Sequence, residues 1–217
     1  MTHLHIPDGV LPLALWGPGL LLALVVLAWS ARAGRGGSRQ RIAYQGALGA
    51  LVLAVMAVEV PLGPLEYHLT LVGPVGVLLG PAGTFQVVFV ASAILALLGH
   101  GGLTVVGLNA LVLGAGGALA RPVYRLLARR WSAAASMAGG TAATQVVSGA
   151  LWLAVVGLGV RSGPTGTARL GLFAGLAFPL WLAGIVVESL VAAGIARFLA
   201  RVRPDLLPPA GGEGSAR

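Results

Sequence analysis

The stretch Leu69-Thr70-Leu71-Val72-Gly73-Pro74-Val75-Gly76-Val77-Leu78-Leu79-Gly80-Pro81 decides how many times this chain crosses a membrane. Its apolar run Leu69–Leu79 holds about 11 residues, well short of the roughly 20 that a crossing helix needs, and Gly73–Pro74 and Gly80–Pro81 punctuate it. A run this short reads as a tilted, broken or re-entrant helix buried among its neighbours. Around it lie Leu11–Ala31, Ile42–Val60, Thr84–Leu98, Leu103–Ala120, Ala133–Val160 and Leu170–Leu199, all of membrane length. Counted with them the short run makes seven crossings. Left out, it leaves six, and the four histidines no longer share a side.

Composition agrees with this class. The 217 residues are 57% hydrophobic and 9% charged, and the mean hydropathy is +0.92, outside the range of a soluble globular domain. We expect an all-α integral membrane protein of the plasma or inner membrane, a single unit over residues 1–203 with a disordered cytoplasmic tail at 204–217. Formal net charge is +8, but the basic residues cluster between apolar runs, which is the signature of membrane topology and not of nucleic-acid binding. All 14 basic residues are arginine. Without lysine there is no Walker A loop, so ATP-driven work requires another subunit. The absence of cysteine excludes disulfides, thiolate zinc sites and iron–sulfur clusters. The polar opening lacks a basic region, and we do not read it as a cleavable signal peptide.

Arginine placement orients the seven runs. Arg32, Arg35, Arg39 and Arg41 follow the first, Arg121, Arg125, Arg129 and Arg130 the fifth, and Arg197, Arg201, Arg203 and Arg217 the seventh. Only Arg161 and Arg169 fall on the other side, so the N-terminus is expected outside and the C-terminus in the cytoplasm. Trp16, Tyr67 and Trp152 then lie near external ends, and Trp29, Tyr44 and Trp131 near internal ones. His3, His5, Asp8, Glu66, His68 and His100 gather on the external face.

Imidazole nitrogen suits Ni²⁺, Co²⁺, Cu²⁺ and Zn²⁺, and a free amino terminus adds amine and amide nitrogens in fused chelate rings. His3 and His5 are close enough to the terminus for that, and Ile6-Pro7-Asp8-Gly9 is a turn sequence able to fold them into the bundle mouth. His68 adds a further imidazole, with Asp8 or Glu66 as acceptors orienting the rings. The competing reading of the same spacing is a disordered tail carrying a histidine pair, with His68 at the membrane interface. Asn109, about six residues or 9 Å into the fifth run, either hydrogen-bonds the folded N-terminal segment or joins two helices. His100 either adds a ligand or caps its turn.

His5-Ile6-Pro7-Asp8-Gly9-Val10-Leu11-Pro12 resembles the opening octet of the CbiM/NikM family, the substrate-capturing S components of cobalt and nickel energy-coupling-factor transporters. Val60-Pro61-Leu62-Gly63 through His68, Leu78-Leu79-Gly80-Pro81, and Gly101-Gly102-Leu103-Thr104 with Gly107-Leu108-Asn109 are similar to three further family stretches in the same order. The similarity covers roughly the first 115 residues; beyond them it is mainly hydropathic. It implies a seven-helix S component that binds Ni²⁺ or Co²⁺ as cargo, with no organic cofactor. Its ligands would be the terminal amine, the backbone nitrogen and imidazole of the first histidine, and a histidine from the loop after the second helix. By position those imidazoles are His5 and His68. The resemblance also implies a transmembrane coupling subunit, ATPase subunits and a small accessory membrane subunit as partners.

Three departures stand out. Met1-Thr2-His3-Leu4 precedes His5 where the family has Met directly before its histidine. We hypothesise that Leu4 is the true start, read as methionine; mass spectrometry showing an intact Met1-Thr2 or Thr2-His3 terminus on the native protein would reject this. Trimming of Met1, or chelation by Met1-Thr2-His3 itself, are the other routes to a terminal site, and they make His3 the ligand. His100 stands where the family has Asp, and Val112 where it has a second Asn.

Ala43, Ala47, Ala50 and Ala54, with Gly46, form a small-residue face on the second run, open either to packing within the bundle or to the coupling subunit. Arg121, Arg125 and Arg129 form a helical stripe whose default meaning is contact with anionic lipid. Glu188 sits inside the last run with no assigned task. The rival functions are a stand-alone divalent-metal permease, which would transport without ATPase subunits, a membrane enzyme, for which no His-Glu-x-x-His or Gly-x-Ser motif appears, and a structural bundle that binds no metal.

Overall fold

The computed structural model describes residues 6, 8–9, 11–58, 60–62, 65–161 and 166–210, with backbone alone at 60–62, 65–67, 160–161 and 166–177. The described residues form six α-helices: α1 (Leu13–Ala33), α2 (Arg39–Met56), α3 (Val72–Leu97), α4 (Val106–Leu127), α5 (Ala133–Arg161) and α6 (Gly166–Val202). A short hairpin, β1 (Val60–Leu62) antiparallel to β2 (Leu65–Tyr67), joins α2 to α3. Five helices hold stretches long and apolar enough to cross a bilayer: Leu13–Ala33, Val72–Leu97, Val106–Leu127, Ala133–Gly159 and Phe178–Val202. The protein is therefore a multi-pass membrane protein. α2 carries Arg39 and Arg41 in its first turn and is 18 residues long.

The seven apolar runs do not become seven separate helices. The third and fourth fuse into α3, which breaks at Gly80 (φ 72°, ψ −178°). That conformation is essentially closed to residues with a Cβ, and Pro81 next to it withholds the N–H that Val77 O would otherwise accept. In an unbroken helix Val72 and Thr84 would stand about 18 Å apart along the axis. Here a Cβ added at Gly117 would meet the Thr84 methyl at 2.7 Å and Val72 Cγ1 at 2.8 Å, so both limbs of α3 lie against the same point of α4. Every residue from Val72 to Val77 is buried. The first limb is thus a half-length helix enclosed by its neighbours, the one setting in which a broken backbone is tolerated at membrane depth.

Small residues let the central helices approach closely, which is how packing is gained where apolar burial alone gives no advantage over lipid. A Cβ at Gly140 would strike Ala120 O at 2.8 Å, and one at Gly73 would strike Thr141 Cα at 2.7 Å. α5 turns Ser136, Thr141, Thr144, Gln145 and Ser148 inward, and Ser148 Oγ donates to Val112 O at 3.1 Å. α6 packs chiefly along α5.

The two ends of the bundle differ. At one, Ile6, Leu11, Val105 and Val156 form a cluster flanked by Trp16 and Trp152. At the other, Val77, Tyr124, Ala134 and Ala196 pack together with Leu207 beside them. There α6 runs on into a 3₁₀ turn, Pro204–Leu206, and Arg203 pairs with Asp205 at 2.8 Å. The start of the described chain and its last helix therefore finish at opposite ends.

Candidate functional site

The described chain opens with Ile6, wholly buried. Asn109, on the first turn of α4 and 2% exposed, grips its peptide on both sides: Ile6 N donates to Asn109 Oδ1 at 2.7 Å, and Asn109 Nδ2 donates to Ile6 O at 3.1 Å. A primary amide offers an acceptor oxygen and two donors in a plane, so one side chain satisfies both backbone groups of Ile6. Nearby, Asp8 accepts the amides of Leu103 and Thr104, each at 2.9 Å, and the Thr104 hydroxyl. These amides lead into α4, whose N-cap Val105 has no side-chain cap of its own. The Thr104 hydroxyl, with the two amides, holds the Asp8 carboxyl below its usual range despite some opposing desolvation. Gly102 is what admits Asp8, since a Cβ there would lie 2.6 Å from Asp8 N. His100, half-buried, occupies the glycine-rich turn between α3 and α4, where Gly99 and Gly101 have φ of 86° and 93°.

His68 is 8% exposed, directly after the hairpin. Two residues on, Thr70 receives Gln145 Nε2 at 3.1 Å. Gln145 is 12 residues from the start of α5 and 16 from its end, roughly 18 and 24 Å along the axis. The Cα of His68 lies within about 7 Å of that of Thr70 by chain reach alone. His68 is therefore buried within the bundle, two residues before the turn at Thr70.

His3, His5 and the side chain of Glu66 lie outside the described residues. Among the described residues no three of the side chains His, Asp and Glu stand close enough to hold an ion together.

Two ionisable groups have partners that spacing did not disclose. Arg121, whose helical stripe predicts contact with anionic lipid, instead turns inward: Nε donates to Val77 O at 2.8 Å and Nη2 to Leu78 O at 2.5 Å. It supplies what the Gly80–Pro81 break withholds from the first limb of α3. Glu188 is 1% exposed. Its Oε1 accepts Thr70 N at 2.7 Å and the Thr70 hydroxyl at 2.9 Å, so it serves the opposite end of the same limb. Acid at the N-terminus and base at the C-terminus match the polarity of the helix dipole. The sequence signals were present, a carboxylate within a span and a Gly-Pro break with carbonyls to satisfy, but neither names its partner.

On α2, Val52 and Met56 face the core, while Ala43, Gly46, Ala47, Ala50 and Ala54 are all exposed. The small-residue face is thus left open by the described residues.

Residues 5–206 match the family described as CbiM, cobalt uptake substrate-specific transmembrane region. The cobalt transport protein CbiM of Sorangium cellulosum is 33% identical, covering 94% of each chain. A putative fused nickel transport protein NikMN of Archaeoglobus fulgidus is 29% identical over 94% of this chain and 68% of its own length. Two crystal structures share the fold at 21% identity: a transition metal transporter, with a TM-score of 0.79 over 91% of this chain and 93% of its own, and a truncated transition metal transporter, at 0.75 over 94% and 100%.

Proposed function

The chain belongs to the CbiM family, and from that premise we propose that it is the substrate-binding membrane subunit of an energy-coupling-factor importer for Ni²⁺ or Co²⁺. The ion is captured at the external face, at the Ile6 end of the bundle, by nitrogen from the amino terminus, His5 or His3, and His68. The N-terminus is outside and the C-terminus in the cytoplasm. A separate coupling subunit, docked on the Ala43, Ala47, Ala50 and Ala54 face, and separate ATPase subunits then drive reorientation of the loaded protein.

One observation carries this reading: Asn109 holds both sides of the peptide of Ile6, the residue next to His5, within the bundle. A tail of no function has no need of a buried amide clamp. Asp8 anchors the segment through Leu103 and Thr104, and Glu66 orients a ligand from beyond the ion. Amine and amide nitrogens with imidazole make a planar set, which suits Ni²⁺ better than octahedral Co²⁺.

Isothermal titration of Ni²⁺ and Co²⁺ into the purified protein tests it. The native chain binds one ion, His68→Ala loses at least a hundredfold in affinity, and an extension that blocks the amino terminus does the same. Undiminished binding by both variants would reject the site. Uptake into vesicles that lack ATPase subunits would reject the importer in favour of a stand-alone permease.

A further inference from the structure

Glu188 lies in α6, far in sequence from the residues of the candidate metal site, yet its carboxyl group binds the turn two residues after His68. Its Oε1 takes the Thr70 amide at 2.7 Å and the Thr70 hydroxyl at 2.9 Å, with Oε2 3.0 Å from the same hydroxyl. Gln145 Nε2 donates to Thr70 Oγ1 at 3.1 Å, and Val72 N approaches it at 3.4 Å. A hydroxyl has one proton and two acceptor positions, and Thr70 uses all three.

The residue between these anchors, Leu71, has φ 53°. It is the one residue other than glycine with positive φ among the described residues, and a leucine enters that region only where its surroundings over-determine it. Glu188 and Gln145 are those surroundings. A buried carboxylate is expensive in a membrane interior and tends to mark function. Capping a half-helix explains why it is tolerated, but the strained turn also sets the backbone from which His68 projects.

We propose that Glu188 is a positioning residue for metal capture: through Thr70 it fixes the strained turn beside His68, and so ties the geometry of the metal site to α6. This rests on the reading of His68 as a ligand. Because Glu188 is itself a residue of α6, the Glu188–Thr70 link is a route by which occupancy of the site reaches the last helix.

The test uses the full-length purified protein with Ni²⁺ or Co²⁺ alone, reading affinity by titration and ligand geometry by the visible ligand-field bands of the bound ion. Thr70→Val keeps the shape and deletes the hydroxyl; Glu188→Gln keeps the shape and replaces one accepting oxygen with an amide NH₂ that cannot accept. Both are expected to weaken Ni²⁺ binding tenfold or more and to shift the bands, while Thr70→Ser restores affinity to within twofold along with the native spectrum. Helix capping alone would lower thermal stability and leave the bands of the bound ion unmoved. Native affinity and spectrum in Thr70→Val and Glu188→Gln, with binding lost in His68→Ala, overturn the positioning role and leave the metal site standing. Undiminished binding in His68→Ala overturns both. Should Thr70→Val not fold, a native spectrum in Glu188→Gln is sufficient to overturn it.

Discussion

Arg121 stands in for Pro81: its Nε lies 2.8 Å from Val77 O, the carbonyl that a residue with an amide proton at position 81 would have bonded. A second carbonyl, Leu78 O, takes Nη2. A guanidinium, with its fixed fork of donors, can serve two adjacent carbonyls at once.

Replacing Arg121 therefore uncaps both carbonyls. Hydrogen bonds to charged groups are worth about 1.5–3 kcal/mol each, and Arg121 is half-buried. Arg121→Ala should lower stability by about 2–4 kcal/mol, whereas Arg121→Lys, able to reach one carbonyl, should lose about half of that. Thermal unfolding in detergent measures it. A loss under 0.5 kcal/mol, typical of a lipid-facing side chain, would contradict the capping role.

Gly102→Ala should unseat the N-terminal segment without unfolding the protein. The new Cβ would sit 2.6 Å from Asp8 N, and backbone there has no flexible end to swing aside. Amide exchange at Ile6 and Thr104 should rise by more than tenfold, with Ni²⁺ affinity falling alongside it and thermal stability changing little. Unchanged protection at Ile6 would refute the collision.

The Asp8 anchor should survive acidification. Hydrogen bonding from Thr104 lowers the folded-state pKa below 3.8, so the contribution is present above the unfolded value and disappears only as pH falls through the depressed folded one. Protection of the Leu103 and Thr104 amides should thus be flat from pH 8 to pH 5 after correction for intrinsic exchange. Asp8→Asn should weaken it at every pH. A step in protection above pH 5 would show that another group controls the anchor.

Enlarging the open face of α2 should separate binding from transport. Ala47→Leu and Ala50→Leu enter space that no described side chain fills. Stability and Ni²⁺ affinity should stay native, while ATP-driven uptake by the assembled transporter should drop tenfold or more. Native uptake would place the coupling subunit elsewhere.

Much of the architecture is legible in the residues themselves. Run lengths and arginine clusters mark the long helices, and Gly80–Pro81 marks the break in the short one. Hydropathy carries no information on the angle between two limbs, however, so nothing in Leu69–Leu98 says that they lie side by side on Gly117. The stripe Arg121, Arg125, Arg129 has the spacing of a lipid-facing edge, and only the carbonyls of another helix reveal what Arg121 does. Glu188 is conspicuous as an acid in a span; Thr70 is not conspicuous at all. Around the candidate site, Asp8 and Asn109 are visible as polar groups near one end, but the backbone atoms they take lie on segments about a hundred residues away, beyond any local pattern.

The first limb of α3 receives both of its terminal partners from helices that the ribosome makes after it. As this segment reaches the translocon, Val77 and Leu78 have no guanidinium and Thr70 has no carboxylate, so an apolar piece too short to hold itself across the bilayer must linger near the lipid boundary. Arg121 arrives with α4, and Glu188 only with the final span. Settling of the turn beside His68 is thereby deferred to the last stage of biogenesis, and a chain cut short before α6 leaves Thr70 without the carboxyl group that holds it.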